Sequence, residues 1–413
     1  MQGLGSYDPS LCPMDAAPPH LRRQRRDVDV DRWSSAPPDL LLEIFRRLGA
    51  TDIVRCAGAC KAWRRAIIGN AASCLRPRPD RFIPDLLIGV FEQREDDVAF
   101  LRTPGPFQSS LAAADDDTIC SFVPATADGG VNLASYNELL SSRDGLLLLG
   151  GSAVDDLCLC NPMTGGCTFL PAAAFRAHIY ALFTGHDDDD LATRILAVEF
   201  RDTSVIAYQY QVFSCTSGAG AWGAVKSSAS AELKDALSVF NFCGTDVVCG
   251  GAVHWIAYCT YQWCIPCAVS MSIDVKTGRT RMTELPEQCQ QPGLLDAMDS
   301  LFLTTSGDGL LSVVMAVIGK VQVWVLTGGD RWTLRRMIDM QNQLRDSASV
   351  SVRLSAFCPR SGYLVGDVPG KQILIDIESG TLRQIGCVGS WPGYHHHPYE
   401  MDWSTYISKM KHF

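Results

Sequence analysis

VSMSIDVKTGRTRMTELP, Val269 to Pro286, sets two runs of alternating apolar and polar residues on either side of Lys276-Thr277-Gly278. Alternation with a period of two marks a half-buried strand, and a glycine between two such runs supplies the backbone freedom a tight reversal needs. The stretch reads as a β-hairpin. Four more have the same form: LCLCNPMTGGCTFLP (Leu157 to Pro171), YQYQVFSCTSGAGAWGAV (Tyr208 to Val225), VQVWVLTGGDRWTLRRM (Val321 to Met337) and QILIDIESGTLRQI (Gln372 to Ile385). Their turn glycines, Gly165, Gly220, Gly278, Gly329 and Gly380, follow at steps of 55, 58, 51 and 51 residues.

Most of these hairpins are preceded by one more apolar strand: DGLLLL, RILAVEF, GGAVHWI, DGLLSVVMA and SGYLVG. An earlier unit, LLIGVFE followed by VAFLRTPGPF, puts Gly105 60 residues before Gly165. A period near fifty with about four strands per unit predicts a β-propeller of the kelch kind, in which each blade needs neighbours to cover its faces. A pair of β-sandwiches would not set five landmarks at a steady step. About six blades fill residues 82 to about 390, and CVGSWPGYHHHPYEMDWSTYISKMKHF then either adds strands or latches the ring.

Upstream the period changes. APPDLLLEIFRRLGATDIVRCAGACKAWRRAII runs from Ala36 to Ile68, with Leu41, Ile44, Phe45 and Leu48 on one helical stripe. Pro37 and Pro38 suit a helix start, Asp39 favours its first turn, and Arg46 and Arg47 favour its last. Gly49 ends this helix. Thr51 is placed to cap a second, with Ile53, Val54, Ala57 and Cys60 on one side, and a third carries Trp63, Ile67 and Ile68. So short a module cannot close its own core, so an apolar face is left for another surface. Residues 1–34, rich in Pro, Asp and Arg, read as a disordered tail, residues 69–81 as a linker, and 82–413 as the propeller.

Composition narrows the function classes. A hydrophobic share of 47% excludes wholesale disorder, and a net charge of -9 argues against nucleic acid as the main ligand. No apolar run is long enough to span a membrane, and Met1 to Leu11 lacks the pattern of a secretory signal, so the chain reads as cytoplasmic or nuclear. Arg22, Arg23, Arg25 and Arg26 run straight into Asp27, Asp29 and Asp31 and read as a solvated tail.

Few residues suggest chemistry. WCIPC, Trp263 to Cys267, spells a redox motif, but a strand follows it and no helix N-terminus is there to acidify a thiol. Cys158, Cys160 and Cys167 lack the paired knuckles of a zinc site. His395, His396 and His397 read as a solvated turn, Asp187 to Asp190 as an exposed loop, and Trp255, Trp263, Trp324 and Trp332 as blade packing. No cofactor or metal is expected, and no Tyr, Cys, His or carboxylate set converges on the ring axis.

The helical segment resembles the F-box: a proline, a leucine run, EIFRRL, then IVRCAGACKAWR ending in the family's cysteine, basic residue, tryptophan and arginine. Ala36 replaces a usual leucine and Pro38 a common acidic residue. The C-terminal region resembles the F-box-associated propeller domains of plant F-box proteins through SRDGLLLL, CNPMTG, GGAVHWI and SIDVKTGRTRMTELP. The resemblance implies a three-helix F-box over 35–68 that docks a Skp-family adaptor, and through it a cullin-RING ubiquitin ligase, with Pro37, Leu41, Ile44, Phe45, Leu48, Val54, Cys60 and Trp63 at the contact. It implies a propeller that binds a protein substrate of unknown identity. Such a receptor is not an enzyme, because it acts by raising the local concentration of substrate lysines. A scaffold acting outside the ligase and a propeller enzyme are the alternatives.

Overall fold

The hairpin at Val269–Pro286 becomes two strands with Met271 opposite Met282, and two longer strands complete its sheet. The computed structural model describes residues 37–48, 50–70, 82–93, 98–103, 135–151, 156–162, 165–184, 193–201, 207–216, 219–229, 236–261, 267–290, 300–328, 330–344, 351–386, 395–402 and 407. Gly105, Trp263, Cys264, Asp187 to Asp190 and the whole N-terminal tail lie outside these residues.

Six antiparallel sheets form six blades. The second blade holds β3 (Glu138–Arg143), β4 (Leu146–Gly150), β5 (Asp156–Asn161) and β6 (Gly166–Pro171). The third holds β7 (Ile179–Phe183), β8 (Thr193–Arg201), β9 (Ala207–Thr216) and β10 (Ala219–Trp222), with β11 (Lys226–Ala229) also on β9. The fourth holds β12 (Ala236–Cys249), β13 (Ala252–Tyr261), β14 (Cys267–Asp274) and β15 (Thr280–Glu284). The fifth holds β16 (Leu301–Thr305), β17 (Leu311–Val317), β18 (Lys320–Thr327) and β19 (Arg331–Asp339). The sixth holds β20 (Arg353–Cys358), β21 (Tyr363–Val368), β22 (Lys371–Asp376) and β23 (Leu382–Gly386).

The first blade is built from both ends of the repeat region. Its outer strands are β1 (Leu87–Gln93) and β2 (Val98–Arg102), and its inner strand is β24 (His395–Glu400), paired on β1 with His396 opposite Glu92. The histidine tract is therefore a strand and not a solvated turn, and His396 is buried. Its backbone is needed there, because without β24 the first blade has no inner edge. β24, β3, β7, β12, β16 and β20 then neighbour one another in a closed ring.

The joints between blades explain the recurring tryptophans. Trp222 Nε1 donates to the carbonyl of Pro171 at 2.6 Å, and Trp332 Nε1 donates to that of Glu284 at 2.7 Å. Each ties an outer strand to the outer strand of the preceding blade. Trp255 is wholly buried and meets Tyr208 edge to face at 6.0 Å, in the core between the third and fourth blades.

Three helices precede the ring: α1 (Pro38–Arg47), α2 (Ala50–Ala59) and α3 (Lys61–Gly69). α2 starts one residue before Thr51, which is inside the helix and not its cap. The cap of α3 is the Cys60 sulfur, which accepts from the Trp63 amide at 3.3 Å. Among the described residues no helix is long and apolar enough to cross a membrane.

Removing residues 395–413 deletes β24 and leaves β1 with an open edge and an uncovered Phe91. We expect the shortened chain to aggregate or to lose a single cooperative melting transition, as followed by calorimetry and size-exclusion chromatography.

Candidate functional site

Two surfaces can act on a partner: the helical module and the axis of the ring. In α1 the stripe expected to be continuous is divided. Leu41 and Phe45 are buried with Ile53, Ala57 and Ile67, and Phe45 meets Trp63 edge to face at 5.9 Å. Ile44, by contrast, is 36% exposed, and Leu40, one turn before it, is 52% exposed. Leu48, Val54, Cys60 and Trp63 are half-buried and Pro37 is exposed. The sequence therefore named both residues that hold the helices together and residues that face outward. Leu40 and Ile68, neither of them in the expected contact set, also face outward, Ile68 being 37% exposed on α3. In LLLEIF two stripes overlap, and periodicity alone does not say which one faces in.

The inward side is also not left open. Leu86, in a short 3-10 turn at Pro84–Leu86, and Ile407, beyond β24, complete the helical core. Both segments flank the first blade, and the Met401 amide donates to the Leu86 carbonyl at 2.8 Å. The helices thus bury their leftover face on this chain's own propeller.

They do so at the end of the ring where the inner strands finish. There Asp144, in the turn after β3, receives Arg360 Nε at 2.7 Å and Nη2 at 2.8 Å, and also Thr184 Oγ1. Asp144 and Gly145 have φ of 47° and 76°, the left-handed pair of a tight hairpin turn that an Asp-Gly dipeptide accepts. Glu400, closing β24, accepts from the Arg360 and Ser361 amides and from Ser361 Oγ at 2.6 Å. Four blades are cross-linked by these buried groups. Burial pushes the Glu400 carboxyl up, and the Ser361 hydroxyl and the two amides pull it back.

Above this plug lies an axial cavity of about 110 Å³ lined by residues from all six inner strands. Arg143, Asp246, Ser142, His396 and His397 contribute its polar wall. Polar groups do converge on the axis, contrary to the reading of the sequence, because β3, β12 and β24 are distant in the chain and adjacent in the ring. Burial pushes Asp246 up to about 6 while Arg143 opposes the shift, and burial pushes His397 down to about 3. His396, lowered by burial, contacts Gln372 Nε2 at 2.8 Å. Among the described residues no group of three or more His, Cys, Asp or Glu is arranged to hold a metal.

Residues 117–381, more than half of the chain, match the family model described as a domain of unknown function, DUF7595. The chain belongs to the DUF7595 family. Residues 33–71 of this DUF7595 protein match the F-box-like model. F-box protein At1g53790 of Arabidopsis thaliana is 22% identical over 240 residues, covering 57% of this chain and 53% of that one. F-box protein DOR of the same plant is 26% identical over 207 residues, covering 44% and 49%. Tubby-like F-box protein 8 of Oryza sativa subsp. japonica is 44% identical over 45 residues, covering 9% and 10%. The DUF7595 chain spans about half the length of the two Arabidopsis relatives. It is a plant F-box protein with a six-bladed propeller, and its match over the blades is to DUF7595.

Asp144→Asn keeps the left-handed turn but strips the charge that Arg360 faces in a buried site, and we expect a loss on the order of 3 kcal/mol in urea unfolding. For Asp246 the folded pKa lies above the unfolded one, so its contribution is present below about pH 4 and lost as pH rises through about 6. The stability of Asp246→Asn relative to the parent is expected to increase across that window and to level off above it.

Proposed function

We propose that this F-box protein is the substrate-recognition subunit of a Skp-cullin-F-box ubiquitin ligase. The observation that carries the reading is the exposed apolar ridge of Leu40 and Ile44 on a helix whose opposite side is already buried. An F-box needs an outward apolar face for its adaptor, and this ridge supplies it. Pro37, Leu48 and Ile68 extend the contact, while Leu41 and Phe45 support it from beneath. The relatives' names as F-box proteins support the same reading.

The substrate, a protein, is taken at the far end of the ring, where the inner strands begin and β17 turns into β18. Ile318 lies in that turn and is 72% exposed. The helices occupy the other end, so both partners can bind at once. The chain is then an adaptor without a catalytic residue of its own, working in cytoplasm or nucleus, and its effect is to raise local substrate concentration.

Ile44→Asp places a carboxylate in the middle of this apolar contact and is expected to abolish co-purification of the Skp adaptor, a cost of several kcal/mol. Because Ile44 is outside the core, the melting temperature should be unchanged. Adaptor recovery equal to the parent, at equal protein level, refutes the docking mode.

A further inference from the structure

Three cysteines of the second blade share one face. Cys158 and Cys160 lie two residues apart on β5, and Cys167 of β6 is directly opposite Cys160. All three belong to the core between the first and second blades, which Val54 of α2 also touches. Cys158 and Cys160 are buried and Cys167 is half-buried, and all three are reduced thiols.

The type of pairing decides what these thiols can do. In the matching turns of the fourth and sixth blades, the residue that closes the hairpin donates across it: Asp274 to the Arg279 carbonyl at 2.9 Å and Asp376 to the Thr381 carbonyl at 2.9 Å. The matching pair here is Asn161 and Gly166, and the turn is the same, with the Gly165 amide bonded to the Asn161 carbonyl at 2.9 Å. Hydrogen-bonded and non-hydrogen-bonded pairs alternate, so Cys160 and Cys167 form a non-hydrogen-bonded pair. Pro171, opposite Asp156, falls in the same class, as a residue without an N–H should. In such a pair the Cα atoms are about 4.5 Å apart, inside the range a disulfide spans. Cys158 is diagonal to Cys167, where the Cα separation is about 7–8 Å and a bridge would need the backbone to move.

We propose that Cys160 and Cys167 are a modification site, a dithiol oxidised to a cross-strand disulfide by a low-molecular-weight disulfide such as oxidised glutathione. Cys167, the accessible thiol, attacks one sulfur of oxidised glutathione; the S–S bond breaks, one glutathione leaves as the thiol, and the other half stays on Cys167. The Cys160 sulfur then attacks Cys167, breaking that mixed disulfide and releasing the second glutathione thiol. Two thiol protons pass to the two leaving sulfurs, the cysteine pair loses two electrons and the glutathione gains them. Cys158 is more acidic than an ordinary thiol because Cys160 hydrogen-bonds to it, against the effect of burial, with Cys167 adding a second bond. Cys160 is held protonated by that same contact and by burial, and its proton passes to the leaving glutathione sulfur as it attacks.

The test uses the full chain incubated in glutathione buffers of graded oxidised-to-reduced ratio, trapped by alkylation and mapped without reduction. The expected result is a peptide pair linked through Cys160 and Cys167, lighter by two hydrogens and reversed by excess reduced glutathione. Cys160→Ser should stop at one glutathione on Cys167, and Cys158→Ala should still give the bridge between Cys160 and Cys167. Full alkylation of both residues at every ratio, a bridge through Cys158, or stable glutathione on Cys167 in the parent chain overturns the site. The parent chain's peptide map decides the main point even where a variant does not fold.

Discussion

The pairing of β24 with β1 is the constraint on which the rest depends. A blade of this length has two apolar faces and is stable only when both are covered, so six blades in a row would leave two bare faces unless the last met the first. Placing a C-terminal strand inside an N-terminal blade joins the ends with backbone hydrogen bonds. Tyr399 shows how much packing follows from that one strand: it is wholly buried, meets Phe91 at 5.6 Å and Phe100 at 6.4 Å, and its hydroxyl donates to the Gly145 carbonyl in the next blade at 3.3 Å.

The same strand delivers Glu400 to the plug under the axial cavity. An uncompensated carboxylate there would be costly, and Glu400 is made tolerable by two amides and a hydroxyl from a single turn, Arg360-Ser361. That turn sends the Arg360 guanidinium to Asp144. Its carbonyl takes the Ile83 amide at 2.7 Å, so the plug also fixes the segment that leads back to the helices. Buried ion pairs contribute little net stability, but they penalise any arrangement that separates them. Here that means any closure of the ring in the wrong register.

Local pattern made the propeller legible. Period-two runs and turn glycines report contacts inside one blade or between neighbours, which are close in sequence as well as in space. What was not legible comes from long-range closure. HHHPYE has no strand-like alternation of apolar and polar residues, and only its place against β1 makes it a strand. Asp144 and Arg360 are 216 residues apart, and no local pattern connects them. On the helices the apolar residues were readable, but the inward and outward sides of α1 were not, because Leu86 and Ile407, which decide them, lie outside the motif.

The attachment of the helices to both flanks of the first blade has a mechanical consequence. A module held through one flank pivots about it, whereas one held through Leu86 before the blade and Ile407 after it resists rotation about either. Val54 adds a third contact, to the core between the first two blades that also contains Cys158 and Cys160. The direction in which Leu40 and Ile44 point is therefore set by the ring itself. Under the proposed function that direction matters, since effective concentration falls when two binding sites cannot be spanned together. The ring closure that stabilises the propeller and the joint that aims the helices adjoin, since Leu86 directly precedes β1 and Ile407 follows β24, so a change in one is felt by the other.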